Sequence, residues 1–462
     1  MSRLLVAIAL VACACGGTSA ATTTTTATPP SPPETTTPTT GPTPVDVGME
    51  VQGCDSPPTT FSPLCEIFEL LETWYVDTPI DADALALLAL EGLEAHTTAA
   101  VEEAPRTLFC AIPHEAFTGF CDDLVQRVRS EQLPVGPAVE AAMTHMVDFG
   151  LGPFTYYLPP ELAGSVRANG IVGGIGVVLD ARDAAGSKCT RISEVCELEI
   201  VVVLEDNPGA EAGLANGDII KSVDGESVTG KGFTEVVSLI SGDESGPVDL
   251  TVLRDGGESS YTIERSELSV PTVEAGLPGG DVGYISIPDF ELDVPSLVAG
   301  SLSDIVAESP GTIVVDLRDN PGGYIDAFLD IVDLFVDGGI VMTSESTVEY
   351  LEYAATEGGL ATTERLLVLV NQGTASAAEV LAGALRDRRD AMILGTDTFG
   401  KDAVQIPFTL RNGGEFYIAV ARWSTPGGDS VADGGLTPDI EVSWPSGATV
   451  EEIVELALEA AS

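Results

Sequence analysis

The chain has 462 residues, with 20 basic against 72 acidic side chains and a formal net charge of −52. At ~150 residues per domain this length allows about three domains, and an apolar content of 44% is sufficient for hydrophobic cores. Such negative charge repels nucleic-acid phosphates and anionic lipid headgroups, so we expect no nucleic-acid partner. We attribute the acid excess to solubility rather than to cation binding.

Residues 1–15 have the pattern of a lipoprotein-type signal peptide. Arg3 is followed by LLVAIALVA, an apolar run too short to cross a bilayer, which takes ~20 residues. The segment LVAC resembles a bacterial lipobox, in which the cysteine becomes the lipidated first residue, so we expect lipidation at Cys13, with Cys15 as the alternative. The sequence predicts an extracytoplasmic protein of the bacterial cell envelope, lipid-anchored to the membrane. If this is an ordinary signal peptide, the protein is secreted or periplasmic.

Residues 16–52 form a predicted linker. Threonine and proline dominate the segment, and almost none of its residues suits a core. Such chains are extended, at ~3 Å per residue in polyproline-like form. We therefore expect a stalk with a reach of up to roughly 80 Å between a membrane and the folded part.

Six further cysteines fall into three couples that are close in sequence. An even number in an exported chain predicts disulfides. Short local loops favour the sequential pairing, Cys54–Cys65, Cys110–Cys121 and Cys189–Cys196. Metal ligation is the rival hypothesis, but the chain has only 3 histidines and no CxxC spacing. We expect neither a metal site nor a cofactor.

Region 53–165 is predicted to be mostly helical. The segment CEIFELLETWYV carries apolar residues at helical spacing, and DADALALLALEGLEAH predicts a second helix capped by Asp81 or Asp83. Both helices are predicted to pack against a core rather than to bind a ligand.

Residues 166–268 are predicted to be rich in β-structure. Clustered glycines in NGIVGGIGVVLD lead into a strand, and LEIVVVLED gives a second strand. The segment NPGAEAGLANGDIIKSVDGESV then predicts a turn, a short helix and a strand, before the amphipathic helix GFTEVVSLISG and two more strands. This order, and residues 207–228 above all, resembles the PDZ domain of bacterial exported proteases. The resemblance implies a peptide-binding module.

The sheet of this module has a predicted open edge that begins at Val177. Unpaired backbone groups at an edge let an extended peptide add as another strand. The amides of Gly174, Ile175 and Gly176 are candidates to receive a terminal carboxylate, because glycine lets a ligand approach the backbone closely; a tight turn without a ligand is the alternative. The helix residues expected to line the groove are Val236, Val237 and Ile240.

Buried strands alternate with helices over residues 269–448, and a last helix is predicted at 449–462. Continuous apolar strands such as TIVVDL and LLVLV predict a sheet covered by helices on both faces. In such sheets, sites form where strands end and helices begin. Both NPGG and GTASAAE stand at such points. The predicted fold class is multidomain α/β and α+β, with a helical N-terminal region, a PDZ domain and an α/β core.

Ser376 stands at one of these points and is a candidate nucleophile. A serine hydroxyl needs a base, but His96, His114 and His145 all precede this domain, which argues against a Ser-His-Asp site within it. The domain contains one lysine, Lys401. A lysine can act as the base if burial lowers its pKa from ~10.4, as in the Ser-Lys variants of the catalytic triad. A solvated surface lysine is the alternative.

Residues 62–445 resemble the carboxyl-terminal processing peptidases, also called tail-specific proteases. The densest segments of the resemblance are VVDLRDNPGG, VNQGTASAAEVLAGALRD, LGTDTFGKDAVQ and ARWSTPGGDSVADGGLTPDI. It implies that Ser376 is the nucleophile, that Lys401, 25 residues later, is the general base, and that Gln405 orients the lysine.

The resemblance also implies how the oxyanion of the reaction is stabilised. The expected donors are backbone amides of Ala377 and of Gly322 or Gly323. In the same way Asp387 is expected to act as structural support rather than as a proton carrier.

One departure from the family pattern lies next to the expected base. Asp402 follows Lys401 where the family commonly has glycine. A carboxylate close to the amine would raise the lysine pKa and oppose its role as a base. Successive residues of an extended segment face opposite sides, which would direct the aspartate away.

Together these features predict an envelope-anchored serine endopeptidase. It would bind the apolar carboxyl-terminal tail of protein or peptide substrates in the PDZ groove and cleave upstream of it. Homo-oligomerisation is left open. The alternative function is that of a non-catalytic PDZ-bearing scaffold or chaperone, which Asp402 alone favours.

Overall fold

The computed structural model describes residues 62–95, parts of 115–127, and 135–462 apart from short internal gaps. The predicted signal peptide, the linker and both candidate lipidation sites lie outside the described residues. So do Cys54, Cys110 and Cys121, and with them two of the predicted disulfide pairings; Cys65 itself is disulfide-bonded. Within the described part of the chain, no helix has the length and apolar character needed to cross a membrane.

The N-terminal region is helical, as predicted. Its elements are the helices α1 (Ser62–Trp74) and α2 (Ala82–Ala95), a 3₁₀ turn (Glu115–Phe117), the helix α3 (Val135–Gly150), the strand β1 (Tyr156–Leu158) and the small hairpin β2 (Val166–Arg167) and β3 (Gly170–Ile171). Helical spacing places Leu64, Ile67, Phe68 and Leu71 on one face of α1, where they are buried. This face packs into a core shared with α2 and α3.

The PDZ module has the predicted order of elements. They are β4 (Val177–Asp183), β5 (Cys196–Val203), α4 (Pro208–Ala212), β6 (Ile219–Val223), β7 (Glu226–Ser227), α5 (Phe233–Ser241), β8 (Pro247–Arg254) and β9 (Gly257–Glu264). The sheet order β4-β5-β6-β8-β9 leaves β4 at an edge, as expected for peptide addition. The disulfide Cys189–Cys196 closes the connection between β4 and β5 and confirms the third predicted pairing.

The remainder of the chain alternates strands and helices. Its elements are β10 (Glu274–Gly279), β11 (Val282–Ser286), α6 (Val294–Ala307), β12 (Thr312–Asp316), α7 (Ile325–Phe335), β13 (Gly339–Glu345), β14 (Tyr350–Ala355), β15 (Arg365–Val370), α8 (Ala377–Arg389), β16 (Met392–Gly395), β17 (Ala403–Thr409), β18 (Glu415–Ser424), β19 (Ile440–Glu441) and α9 (Val450–Ala460).

The central sheet of this part has the order β10-β11-β12-β15-β16-β19. Within this sheet, β11, β12, β15, β16 and β19 pair with one another in parallel. Ile313 and Val315 pack on one face with α6, α7 and α8, whereas Val314 packs on the other face with α9. Both faces are covered, which is why the strands are apolar throughout. The predicted fold class is confirmed.

A second, antiparallel sheet was not predicted from the sequence. It has the order β1-β18-β13-β14, with β17 also paired to β18. Phe408, Phe416 and Ile418 extend from it into the core of the helical region. Because side chains alternate along a strand, Gln405 and Tyr417 lie on its opposite face.

Candidate active site

Ser376 lies in the turn that joins the end of β15 to the first residue of α8. Its backbone angles are φ 54° and ψ −120°, in a region that favours glycine. The preceding turn is held by Thr374, whose hydroxyl donates to the carbonyl of Leu317 (2.7 Å). A serine on a strained strand-to-helix turn is the arrangement that exposes a nucleophile in other hydrolases.

Lys401 lies in the segment between β16 and β17. Its side chain keeps part of its surface accessible and lines the main cleft. Burial of the amine lowers the pKa of Lys401 to about 8, while the negative charge of Glu379 opposes this shift. About a tenth of the amine is therefore neutral at pH 7, against less than about a thousandth for a lysine of ordinary pKa, as a general base requires. In the described residues no hydrogen bond joins Ser376 Oγ to Lys401 Nζ.

Glu379 links these two residues, and it was not identified from the sequence. It is fully buried in the first turn of α8. One of its oxygens, Oε2, accepts the main-chain N–H groups of both Ser376 (2.8 Å) and Lys401 (2.9 Å). The signal in the sequence is the Ser-x-x-Glu pattern of a capping box at a helix start.

Asp402 is directed away from the amine of Lys401. Its carboxylate binds the guanidinium of Arg422 (2.7 Å), which also binds Asp77 (2.7 Å). The charge that acts on the Lys401 amine is that of Glu379. Successive side chains of an extended segment face opposite sides, so the carboxylate of Asp402 lies away from the Lys401 amine although the two residues are adjacent.

Gln405 lines the same cleft as Lys401, from strand β17. Its side-chain amide donates to the carbonyl of Phe154 (2.6 Å), in the segment that precedes β1. The structure thus brings Gln405 to the cleft and ties it to the helical region; its expected contact with Lys401 stays a prediction.

The candidate oxyanion donors surround Ser376. A β-carbon built on Gly322 would lie 2.9 Å from the nitrogen of Ala377. The N–H of Gly322 itself donates to the side chain of Asn320 (2.8 Å). Because this bond occupies the N–H of Gly322, Gly323 is left as the candidate for the second donor beside Ala377.

Asp387 lies almost three turns from the start of α8. Its carboxylate accepts the main-chain N–H of Gly427 (2.7 Å) and contacts Arg386 (3.4 Å). These contacts tie the helix to the segment after β18, which fits the expected supporting role.

The PDZ groove lies between β4 and α5. Ile175, Val177, Val237 and Ile240 line it, and Gly174 and Gly176 have positive φ angles of 100° and 76° at its entrance. Val236, expected in the groove, is instead fully buried in the core of the module. Successive helix residues point about 100° apart, so Val236 and Val237 cannot both face the groove.

The groove shares one cavity of about 1060 Å³ with two of the candidate site residues: Val177, Val237, Lys401 and Gln405 line it, as does Ala375, the neighbour of Ser376. Arg182 on β4 also joins the two parts directly. Its guanidinium donates to the carbonyl of Phe399 and lies 5.4 Å from the centre of that ring. A chain bound along β4 therefore lies next to the segment that carries Lys401.

In the described part of the chain, no group of three or more His, Cys, Asp or Glu residues is placed to hold a metal ion.

Two family models match the chain. Residues 281–442 match peptidase family S41, and residues 199–254 match the PDZ domain. A carboxy-terminal-processing protease of Bartonella bacilliformis is 30% identical over 336 residues, which cover 70% of this chain and 74% of the relative. A carboxyl-terminal-processing protease of Synechocystis sp. is 33% identical over 301 residues, which cover 63% and 68% of the two chains.

Among solved structures, the photosystem II D1 C-terminal processing protease has a TM-score of 0.59 at 24% identity. The similarity covers 82% of this chain and 97% of that chain. At this level of identity the likeness shows a common fold.

A parallel sheet covered on both faces, with a strained serine at its edge and a PDZ groove that shares the cleft, defines a PDZ-bearing serine peptidase. The chain belongs to peptidase family S41, the carboxyl-terminal-processing proteases. It is therefore a C-terminal processing serine peptidase, which confirms the predicted family and enzyme class.

Proposed function

We propose that the protein is an exported, membrane-anchored serine endopeptidase that captures the C-terminal tail of a protein substrate in its PDZ groove. Ser376 is the nucleophile, Lys401 the general base and Gln405 the residue that supports the lysine. The observation that carries the proposal is the buried amine of Lys401, with a pKa of about 8, in the same cavity as the groove.

The first step of the proposed reaction forms an ester between enzyme and substrate. The neutral amine of Lys401 takes the proton of Ser376 Oγ as the oxygen attacks the carbonyl carbon of the scissile bond. The oxyanion is stabilised by the N–H groups of Ala377 and Gly323, each worth about 3 kcal/mol. The lysine then gives its proton to the leaving amine.

The second step restores the enzyme. Water enters as the nucleophile, and the Lys401 amine takes one of its protons while the hydroxyl attacks the ester. The collapse of the second tetrahedral intermediate returns a proton to Ser376 Oγ and releases the new carboxylate. The same base thus serves in both halves, which requires the amine to be neutral at the start of each.

The PDZ groove supports recognition of a tail. An extended peptide can add to the edge strand β4, with its apolar side chains between β4 and α5 and its terminal carboxylate near Gly174 and Gly176. The contact between Arg182 and Phe399 supports a productive path from the groove to Lys401. Protein or peptide substrates with apolar, exposed C-termini are therefore the proposed class.

The test uses a loosely folded protein that ends in apolar residues. Ser376→Ala and Lys401→Ala should lower its degradation by at least about 10³-fold, and labelling by an active-site serine reagent should vanish in Ser376→Ala. Ser303→Ala and Lys221→Ala change the same residue types elsewhere, on α6 and in the PDZ sheet, and should behave as the parent. Equal degradation by the two active-site variants and the parent would refute the assignment.

The proposed membrane anchor has its own test. Metabolic labelling with a fatty acid should modify the parent and Cys15→Ser but not Cys13→Ser. Labelling that is lost only in Cys15→Ser would place the lipid on Cys15. The absence of label from the parent would favour a secreted or periplasmic enzyme.

A further inference from the structure

The carboxylate of Glu379 accepts four hydrogen bonds in the interior of the peptidase core. Its Oε2 accepts the N–H groups of Ser376 and Lys401, and its Oε1 accepts the N–H of Gly400 (2.8 Å) and the hydroxyl of Thr398. The side chain is fully buried, so it does not reach the cleft or a substrate. Its effects on the reaction must therefore pass through the residues that it binds.

The contact determines where two separate segments lie. Ser376 belongs to the turn after β15, and Lys401 belongs to the segment after β16, yet both main chains meet at one oxygen atom. A backbone strained at φ 54° costs about 1–3 kcal/mol and persists only where its surroundings hold it. The bond from the Ser376 N–H to Glu379 is such a restraint.

We propose that Glu379 is a positioning residue of the catalytic pair: its buried carboxylate sets the distance between the Ser376 and Lys401 backbones and supplies the negative charge that acts on the Lys401 amine. The proposal rests on the proposed roles of Ser376 and Lys401. It adds that Glu379, in the first turn of α8, controls both the geometry and the basicity of the pair.

Two other charged residues near the Lys401 segment are paired with partners of their own. Asp402 binds Arg422, and Arg182 of the PDZ module binds Asp180. Burial lowers the pKa of Lys401 to about 8, and the charge of Glu379 raises it against that effect. Burial also raises the pKa of Glu379 itself, but the four donors that it accepts favour the ionised carboxylate. Loss of this charge should therefore lower the lysine pKa further and extend activity to lower pH.

The experiment compares kcat and KM of the full chain across pH in Glu379→Gln and the parent. Glutamine keeps the size of the side chain, but its amide group carries no charge and cannot accept all four donors. We expect kcat to fall about 10²-fold, as for a displacement of about 1 Å, with KM within about twofold because Glu379 does not reach the cleft. The acid limb of the kcat profile should move to lower pH.

Two further variants separate the geometric effect from that of the charge. Thr398→Val removes one donor to Glu379 but keeps the carboxylate, so it should lower kcat without moving the acid limb. Glu452→Gln changes the same capping pattern in α9, where Glu452 accepts the N–H of Thr449 (2.9 Å) at an exposed helix start. It should leave kcat and its pH profile unchanged.

An unchanged kcat in Glu379→Gln, or a lower kcat with the acid limb at the parent's pH, would overturn the proposal. If Glu379→Gln fails to fold, as judged by thermal unfolding and by peptide binding in the PDZ groove, a parent-like kcat in Thr398→Val would overturn it instead. Persistent activity in Ser376→Ala or Lys401→Ala would contradict the proposed function itself, so the two failures are distinguishable.

Discussion

Gly322 and Ser376 lie so close that a β-carbon on the glycine would sit 2.7 Å from the β-carbon of the serine. The turn after β12 and the turn after β15 therefore meet without space for a side chain. Gly322 also has a φ of 98°, which suits glycine. This packing places the two candidate oxyanion segments around one reacting centre.

We expect Gly322→Ala to abolish most of the peptidase activity. The added carbon would displace the Ser376 backbone by several tenths of an ångström or more, and a displacement of about 1 Å lowers the rate about 10²-fold. Steady-state kinetics on a peptide substrate would measure the loss. Gly256→Ala is the matched control, because Gly256 has a φ of 77° with no atom within 4 Å of the added carbon.

Both variants should also lose about 1–2 kcal/mol in the free energy of unfolding, because alanine is strained at a positive φ. Only the Gly322 variant adds crowding at Ser376, so only it should lose activity at equal stability. A Gly322→Ala enzyme as active as Gly256→Ala would show that the close approach plays no part in the reaction.

The pH dependence of kcat/KM should report the Lys401 amine. Burial lowers the pKa of Lys401 to about 8, and only the neutral amine takes a proton. Activity should therefore rise about tenfold per unit below pH 8 and level off above it. A profile measured from pH 6 to 10 would check this; a rate independent of pH across that range would contradict a lysine base.

Asp402→Asn should weaken the fold but leave the base intact. The substitution removes the charge that Arg422 binds at 2.7 Å, so we expect a loss of about 1–3 kcal/mol in the free energy of unfolding. The acid limb of kcat/KM should stay where the parent has it. Denaturant unfolding and a pH profile measure both quantities, with the exposed Asp304→Asn as control. An acid limb at a different pH from the parent's would mean that the charge of Asp402 affects the pKa of Lys401.

Val237→Glu should reduce capture of substrate tails. Val237 lines the PDZ groove, and a carboxylate there would repel a terminal carboxylate and would not be solvated well. We expect at least about tenfold weaker binding of a labelled peptide with a free apolar C-terminus, measured by fluorescence anisotropy.

The matched control for this variant is Val195→Glu, at a position that is 72% exposed in the connection of β4 and β5. It should bind the peptide as the parent does. Equal affinities for both variants would place the tail elsewhere on the molecule.

The buried carboxyl group of Asp148 should make the free energy of unfolding depend on pH. This buried aspartate at the end of α3 bonds to Thr234 and to the backbone of Glu235 at the start of the PDZ helix α5, and burial raises its pKa to about 7. The folded state thus binds the proton more tightly than the unfolded chain, so stability falls as pH rises from about 4 to about 7.

Asp148→Asn removes the ionisable group and should reduce this dependence. We expect its free energy of unfolding, relative to the parent, to be higher at pH 8 than at pH 5 by at least about 1 kcal/mol. Denaturant titrations at the two pH values would measure it. A difference that does not change with pH would show that Asp148 is charged equally in both states.

Local patterns were sufficient for the parallel sheet, for the PDZ module and for the choice of candidate site residues. Continuous apolar runs predicted the covered sheet, and the glycine-rich order of strands predicted the PDZ module and its edge strand. The second sheet was missed because β18 pairs with β1 and with β13 across long stretches of chain, and no local pattern specifies such a register. Val236 was misplaced because its neighbour Val237 is equally apolar, and only packing decides which of them faces the groove.

The sequence by itself determined which groups are available: Ser376 as the candidate nucleophile, one lysine in the same domain as the candidate base, and no histidine after His145. Tertiary structure alone decided that Glu379 joins the two segments, that Asp402 turns to Arg422, and that Asn320 occupies the N–H of Gly322. The physical reason is that residue type follows from the gene, whereas burial, partner and distance depend on segments that meet only when the chain has folded.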